Sequence, residues 1–253
     1  MNSGIKISVL LLLIFSLCME VVAQDEARMD ALLKEADVLI ASGNLPAALE
    51  KTKQAVDISP SYHPAAIKEI NILFLMKDEK QSINMVDDAI RKYPDVAGYY
   101  YMRGIINNGR ARYSKALDDF SRAIELNQQD ILYRCYLGRG VSYYNLLEYE
   151  NALADLAVSI QKNDTVASAY YTRGIVNYDI KDYEAAAEDF QKSLQYSEGN
   201  AALYFNLGMS YYRLEQKDKA CPNFNKACTL GNTNACRMSL MECAKAIPSP
   251  SKK

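Results

Sequence analysis

The sequence predicts an all-α fold of stacked helical hairpins, and two observations carry that prediction. Glycines recur at a nearly constant interval, at Gly104, Gly140, Gly174 and Gly208, within segments that superimpose along their length. After Gln24 no stretch has the alternating pattern of a half-buried strand, and none is a long apolar run. The interval agrees with the period of about 34 residues that is typical of solenoids built from helix–turn–helix units.

Two further positions recur with the glycines and indicate how the two helices of a hairpin pack. A small residue follows each glycine at a spacing of twelve, where the helices must approach closely. A large apolar residue comes four positions later and is expected to fill the space between adjacent hairpins. The small residues are Ala116, Ala152, Ala186 and Ala220, and the large ones are Phe120, Leu156, Phe190 and Phe224.

These segments resemble tetratricopeptide repeats, whose unit is a helix, a tight turn and a second helix. The resemblance implies a right-handed α-α superhelix, a solenoid of about six hairpins plus a C-terminal capping helix, over residues 24–246. Two degenerate repeats are included by counting back from Gly104 in steps of one repeat length, and in the second of them Ile70 and Ser82 replace the usual glycine and alanine. The interval from Gly104 to Gly140 is two positions longer than the others, and the extra pair is expected in the linker at Gln128 to Asp130. The predicted repeats lie near 29–62, 63–96, 97–132, 133–166, 167–200 and 201–234, followed by a cap helix over 234–246 and a disordered tail over 247–253.

The segment 1–23 is expected to be an export signal. Lys6 precedes an apolar run of about a dozen residues, which is shorter than the roughly 20 that a membrane-spanning helix needs. Cleavage after Ala23 leaves a mature chain that begins at Gln24, without a membrane span, in the periplasm or secreted. Lipidation at Cys18 is the alternative and tethers the protein to a membrane, although bulky Leu17 stands where a lipoprotein signal has a small residue.

The composition favours a protein without catalytic or nucleic-acid-binding function. The chain has 29 basic and 31 acidic residues and a pI near 5.6, so it lacks the positive excess of nucleic-acid-binding proteins. His63 is the single histidine and is expected at the surface, which leaves no histidine triad or multi-histidine metal site. Cys135 is expected to be a half-buried structural thiol, with a reactive nucleophile as the alternative. We therefore predict no enzymatic activity, no cofactor and no metal.

Charged residues also recur with the repeat. An arginine precedes three of the glycines, and an aspartate follows each arginine at a spacing of sixteen, on the partner helix. We expect each pair to bridge its own hairpin, with a bidentate contact where the geometry allows. Two independently solvated faces are the alternative. The pairs are Arg103 with Asp119, Arg139 with Asp155, and Arg173 with Asp189.

Four cysteines lie close together at the C-terminal end. Cys221 and Cys228 are seven positions apart, as are Cys236 and Cys243, so each pair lies on one helix face. The sums 221 + 243 and 228 + 236 both equal 464, which places the members of each sum opposite each other in an antiparallel hairpin. This predicts the disulfides Cys221–Cys243 and Cys228–Cys236. Exported cysteine-rich helical-repeat proteins similarly join two helices through Cys-x7-Cys, and such bridges persist outside the cytosol. A four-thiolate zinc site and free thiols are the alternatives.

The resemblance implies that the first helices of the repeats form a concave groove that binds a protein or peptide. The predicted function is an interaction scaffold or adaptor, with an envelope assembly component or a cysteine-rich repeat enzyme as alternatives. The Lys and Asn pattern by which some family members clamp a C-terminal carboxylate is absent. The predicted groove residues are Tyr101, Ile105, Asn108, Tyr144, Asn145, Tyr171, Tyr178, Phe205, Met209, Tyr212 and Arg213.

Overall fold

The structure, a computed structural model, describes residues 2–243, with side chains from residue 19 onward. Within these residues the chain forms helices joined by short turns, without strands, which confirms the all-α class. Contacts divide the chain into two units, Met1–Ile106 and Asn107–Lys253. The helices are α1 (Asn2–Ala41), α2 (Leu45–Ile58), α3 (His63–Leu75), α4 (Glu79–Lys92), α5 (Ala97–Gly109), α6 (Tyr113–Glu125), α7 (Gln129–Asn145), α8 (Tyr149–Lys162), α9 (Ala167–Asp179), α10 (Tyr183–Tyr196), α11 (Ala201–Arg213), α12 (Lys217–Thr229) and α13 (Thr233–Met238), followed by a π-helical segment (Ser239–Cys243).

Consecutive helices pack in pairs, as the repeat predicts. In the first unit α1 packs on α2 and α3 on α4, and in the second unit α7 packs on α8, α9 on α10 and α11 on α12. Each second helix also packs on the first helix of the following hairpin, for example α8 on α9 and α10 on α11. These hairpins within each unit therefore bury one face inside themselves and another against a neighbouring helix.

The turn inside each hairpin contains one residue with a left-handed backbone. Only the first of these six residues is a glycine, although an L side chain in this conformation costs roughly 1–2 kcal/mol. Side chains that cap the following helix support the turn, as when Asp182 accepts a hydrogen bond from the backbone N–H of Ala185. The six residues are Gly43, Lys77, Ala111, Leu147, Lys181 and Glu215.

The core of the second unit contains the repeated small and large residues. A Cβ atom on Gly174 would lie 2.7 Å from the ring of Phe190, and one on Gly208 would lie 2.7 Å from the ring of Phe224. The glycine of each first helix thus makes room for the aromatic side chain of the second helix. Residues of this set that are at most 1% exposed are Ala116, Phe120, Ala152, Leu156, Ala186, Phe190, Ala220 and Phe224.

The degenerate repeat at 63–96 forms a hairpin despite lacking the glycine and the alanine. Ile70 replaces the glycine and packs against Val86, which stands where other repeats have Phe or Leu. A larger residue on one helix is thus matched by a smaller one on the other, which conserves the packed volume. Ser82, in the alanine position, is fully buried, and its hydroxyl donates to the Glu79 carbonyl at 3.1 Å.

His63 is half-buried rather than at the surface, so that prediction was wrong. Its Nδ1 lies 3.0 Å from the Tyr99 hydroxyl, and its ring makes an edge contact with Tyr93 at 4.7 Å between centroids. Two tyrosines that are distant in the sequence pack against His63, and the residues around its helix start do not predict these contacts.

The two extra residues of the fourth repeat do not lie in the linker, which corrects the prediction at Gln128 to Asp130. The linker is only Leu126 to Gln128, and α7 has 17 residues where α9 and α11 have 13. Asn127 adopts a left-handed conformation and ends α6 early. Asp130 lies in the first turn of α7, where an acidic side chain interacts favourably with the helix dipole.

The C-terminal cap differs from the single α-helix that was predicted. After Met238 the α-helical pattern gives way to the wider π turns of Ser239–Cys243. Disulfides join α12 to Cys236 in α13, before this transition, and to Cys243 at the end of the π-helical segment. Residues 244–246 of the predicted cap, and the predicted tail over 247–253, lie outside the described residues.

At the other end, α1 runs from Asn2 to Ala41 through the predicted signal. The predicted cleavage after Ala23 stays a prediction. Among the described residues, no helix combines the length and apolar character that crossing a membrane requires.

Candidate functional site

Predicted groove residues of the second unit lie on its first helices at equivalent positions of successive repeats. Tyr144, Tyr178 and Tyr212 share one position near the C-terminal ends of α7, α9 and α11. Tyr171 and Phe205 share another, two turns earlier. All five side chains are half-buried, so each presents part of its surface to solvent. Of the remaining predictions, Tyr101 and Ile105 belong to the first unit and are half-buried there.

Three hydrogen bonds that involve tyrosine hydroxyls join the first helices of successive repeats, and we call this set the tyrosine ladder. Tyr144 donates to Oδ2 of Asp179 at 2.8 Å, which links α7 to α9. Between α9 and α11, Asn206 donates from Nδ2 to the Tyr171 hydroxyl at 3.2 Å. Farther along the same two helices, Arg213 donates from Nε to the Tyr178 hydroxyl at 3.3 Å. The ladder holds the predicted binding tyrosines in place, and it uses their hydroxyls internally.

Tyr144 stays a hydrogen-bond donor at neutral pH. Burial raises the pKa of its phenol to about 12, and the hydrogen bond to the Asp179 carboxylate adds to the rise. The proton therefore remains on Tyr144, which continues to donate to Asp179 at neutral pH.

Two predicted asparagines have different roles. Asn108 donates to the Gly138 carbonyl at 3.1 Å and accepts from the Ser142 hydroxyl at 2.8 Å, so its amide serves packing. Asn145 is exposed, and its amide donates only to the Val141 carbonyl of its own helix. Asn145 is thus accessible to a ligand, whereas Asn108 has its polar atoms occupied.

A cleft of about 270 Å³ lies between α9 and α11, with α10 beneath it. We call it the α9–α11 cleft. It brings together three predicted groove residues, Tyr178, Phe205 and Met209. The sequence prediction missed the other lining residues, although Ile175 and Asp179 stand one repeat before Met209 and Arg213 and could have been found from that register. The cleft is lined by Ile175, Tyr178, Asp179, Phe190, Phe205, Asn206 and Met209.

A second recess, of about 460 Å³, lies at the end of α11. Tyr212 and Arg213, both predicted, line it together with Glu215 and Lys217. The ring of Tyr212 packs against Phe224 at 6.4 Å between centroids. This recess is polar and shallow compared with the apolar α9–α11 cleft, so the cleft is the stronger candidate for binding.

Sequence comparison identifies the hairpins that form the cleft. Residues 167–200 and 201–234 each match the family described as tetratricopeptide repeat. These two hairpins are tetratricopeptide repeats. The matched segments contain α9 with α10 and α11 with α12, and their bounds are those predicted for the last two repeats. No curated protein has a sequence that matches this tetratricopeptide repeat chain.

Solved structures with the same fold are similar at low sequence identity. PilF of Pseudomonas aeruginosa is 16% identical, with a TM-score of 0.71, and the match covers 88% of this chain and 99% of PilF. PilW, a type IV pilus biogenesis factor, is 15% identical, with a TM-score of 0.71 and coverages of 84% and 98%. YrrB, a tetratricopeptide repeat protein with an unusual peptide-binding site, is 19% identical, with a TM-score of 0.56 and coverages of 75% and 97%. These likenesses support the repeat fold alone.

Two of the predicted ion pairs bridge their own tetratricopeptide hairpins, as expected. Arg139 donates to both carboxylate oxygens of Asp155, at 2.7 and 2.9 Å, and Arg173 binds Asp189 in the same way at 2.9 and 2.6 Å. Arg103 contacts Asp87 at 2.8 Å. The pairing predicted between Arg103 and Asp119, which belong to different units, stays a prediction.

The cysteines at the end of the last tetratricopeptide repeat are bonded in the structure as the index sums predict. Cys221 is joined to Cys243 with a Cα separation of 5.7 Å, and Cys228 to Cys236 with one of 4.6 Å. Both separations lie in the usual disulfide range. Among residues 19–243, whose side chains are described, there is no group of three or more histidine, cysteine or acidic side chains arranged to hold a metal.

Cys135 of the tetratricopeptide fold is fully buried in α7 rather than half-buried. Burial raises the pKa of its thiol to about 12, and the nearby Asp130 carboxylate adds to the rise. The thiolate is the nucleophilic form, so this environment favours a structural role over a reactive one.

Proposed function

We propose that this protein is a noncatalytic interaction scaffold that binds a segment of another polypeptide in the α9–α11 cleft. One observation carries the proposal. Apolar side chains of two adjacent first helices, above all Ile175 and the predicted groove residues Phe205 and Met209, enclose a space open to solvent. Binding sites are typically concave and largely apolar, with a few polar groups that orient the ligand.

The tyrosine ladder supports this role because it pre-organises the cleft. Tyr171 and Tyr178 each hold a hydrogen bond to α11, so the two helices that flank the cleft are tied at two levels. Side chains already ordered before binding lose less conformational entropy when a partner arrives. Met209, which is flexible and polarisable, lets the apolar wall adapt to different side chains.

Site-specific photo-crosslinking tests the proposal. A benzophenone amino acid replaces Met209 in the cleft, and in a matched control it replaces Glu188, which is exposed on α10. Irradiation in an extract of the native source is expected to join a polypeptide to position 209 and not to position 188. Equal adducts from both positions, or none from position 209, would contradict binding in the cleft.

We also propose that the protein acts in an exported compartment, periplasmic or extracellular. The N-terminal lysine and apolar run support export, and so do four cysteines placed to form two bridges. Intact-mass spectrometry of protein from native cells is expected to give a chain that begins at Gln24. A lipid-modified N-terminus at Cys18 would instead support the membrane-tethered alternative, and an uncleaved chain would contradict export by this signal.

A further inference from the structure

One polar atom that the α9–α11 cleft leaves unused is a carboxylate oxygen of Asp179. Asp179 accepts from Tyr144 through Oδ2, whereas its Oδ1 has no hydrogen-bond partner among residues 19–243, whose side chains are described. Asp179 is also the one charged residue among the side chains found to line the cleft, and within the described residues no lysine or arginine forms an ion pair with it. Within the described residues, the exposed carboxylate of Asp179 therefore has no positively charged partner.

Tyr144 fixes the direction of this carboxylate. Its hydroxyl donates to Oδ2 at 2.8 Å from the neighbouring helix α7, which leaves Oδ1 available to a ligand. Arg213, the nearest cationic residue of this row, directs its Nε to the Tyr178 hydroxyl instead. A ligand that brings its own positive charge thus completes the arrangement.

The cleft volume limits what enters beside that charge. Small-molecule sites typically enclose about 300–1,000 Å³, and the 270 Å³ here lies just below that range. Such a space suits one or two apolar side chains of a bound chain. Phe205 and Met209 provide the apolar walls, and the Phe190 ring forms the base.

We propose that the cleft recognises a polypeptide segment in which a lysine or arginine lies next to a large apolar residue. The apolar side chain enters between Phe205 and Met209, and the cation pairs with Oδ1 of Asp179. This inference rests on the proposed function and names the chemistry of its partner. A solvent-exposed ion pair of this kind selects the ligand more than it strengthens binding, because its net contribution is small.

The first experiment selects ligands from a displayed library of random dodecapeptides, using the full mature chain with its disulfides intact. Selected peptides are expected to carry a basic residue within two positions of Leu, Ile, Met or Phe. One selected peptide and its version with glutamine in place of the basic residue are then measured by calorimetry. We expect the glutamine version to bind about two- to fivefold more weakly, with a difference that shrinks at high salt.

Variants of the protein test the contribution of the Asp179 charge and that of the apolar cleft separately. Asp179→Asn keeps an acceptor for Tyr144 and should remove the difference between the two peptides, whereas Glu188→Gln, outside the cleft, should leave it unchanged. Asp179→Lys, at an exposed position, should select acidic peptides in place of basic ones. Met209→Lys should abolish binding of every peptide, and circular dichroism checks that each variant is folded.

The possible results distinguish the two proposals. If Met209→Lys or a second cleft variant, Phe205→Ser, abolishes binding but the peptides show no basic preference, the charge inference is wrong and the binding site stands. If no peptide is selected, or folded cleft variants bind as well as the wild type, both proposals are wrong. Self-association that these cleft variants abolish would identify a second copy as the occupant and would overturn the basic-ligand inference.

Discussion

Cys135 shows how one residue's chemistry is decided by its surroundings. The thiol is fully buried and its pKa is raised to about 12, while a cysteine in an unfolded chain ionises near 8.5. Between pH 7 and 9 the native thiol therefore stays protonated, and the unfolded one becomes a thiolate. A raised pKa of this kind contributes stability below the unfolded pKa and loses it as the pH rises toward the folded value.

We expect Cys135 in the native, oxidised mature protein to resist iodoacetamide at pH 8 and to react within minutes in denaturant. Peptide mass spectrometry after timed alkylation measures both rates. Rapid alkylation of native protein, at a rate that rises with pH near 7, would indicate a reactive nucleophile and contradict the structural role.

A second prediction at this scale concerns Arg139 and Asp155. Their side chains are only 20% and 8% exposed and share two hydrogen bonds. Substituting both by alanine, singly and together, should give a coupling free energy of unfolding of about 1–2 kcal/mol, within the range for residues in direct contact. The exposed pair Lys51–Glu35, 36% and 55% exposed, is the control and should couple by less than about 0.5 kcal/mol. A coupling near zero for Arg139 and Asp155, as small as that of the control pair, would favour independently solvated charges.

Among the structural elements, the hairpin turns contain backbone strain, because five of their six left-handed residues are not glycine. Leu147 has φ of 63° and is 70% exposed, so its side chain gains little from packing. Replacing it with glycine removes a cost of roughly 1–2 kcal/mol and adds an entropic cost of about 0.5–1 kcal/mol.

Leu147→Gly should therefore raise the free energy of unfolding by about 0.5–1 kcal/mol, measured by urea denaturation. The matched control is the preceding residue, Leu146, whose φ of −89° carries no such strain. Leu146→Gly should destabilise the protein. If the two substitutions have the same sign, the left-handed turn is not a source of strain.

At the scale of the whole molecule, the repeats act through their neighbours. In a solenoid each repeat contacts adjacent ones, so stability is approximately a sum of repeat and interface terms, and terminal caps matter. The bridges Cys221–Cys243 and Cys228–Cys236 connect α12 to the segment after it and close loops with sequence separations of 22 and 8 residues. Each is expected to stabilise the last repeat by about 2–4 kcal/mol.

Reducing both bridges should accelerate amide hydrogen exchange in α12 and α13 while leaving α8 and α9 nearly unchanged. Exchange measured by mass spectrometry on oxidised and reduced protein tests this, and the double variant Cys228→Ser/Cys236→Ser serves as a check without reductant. Uniform loss of protection across the second unit would show that the repeats unfold together.

The repeat itself could be predicted because its positions obey local rules. The positions of Gly174 and Phe190 recur once in every repeat, so one alignment identifies both the close approach and the ring that fills it. The pairing of the four C-terminal cysteines could be predicted in the same way, because residues that face each other in an antiparallel helical hairpin have residue numbers with a constant sum. By contrast, the extra turn of α7 depends on where Asn127 ends the preceding helix, and the burial of His63 depends on two tyrosines from other segments.

The sequence by itself determined the helical class, the period of the repeats and the rows of residues on the first helices, because periodic side chains specify which face of each helix is buried. Only the tertiary structure decided how those rows are used. Tyr144, Tyr171 and Tyr178 were predicted to bind a ligand, yet their hydroxyls join neighbouring helices. Asp179 lines the cleft, although the sequence did not predict it as a groove residue. The reason is physical: a hydrogen bond between side chains of successive repeats depends on the separation of two packed helices, and that separation is set by the core side chains beneath them.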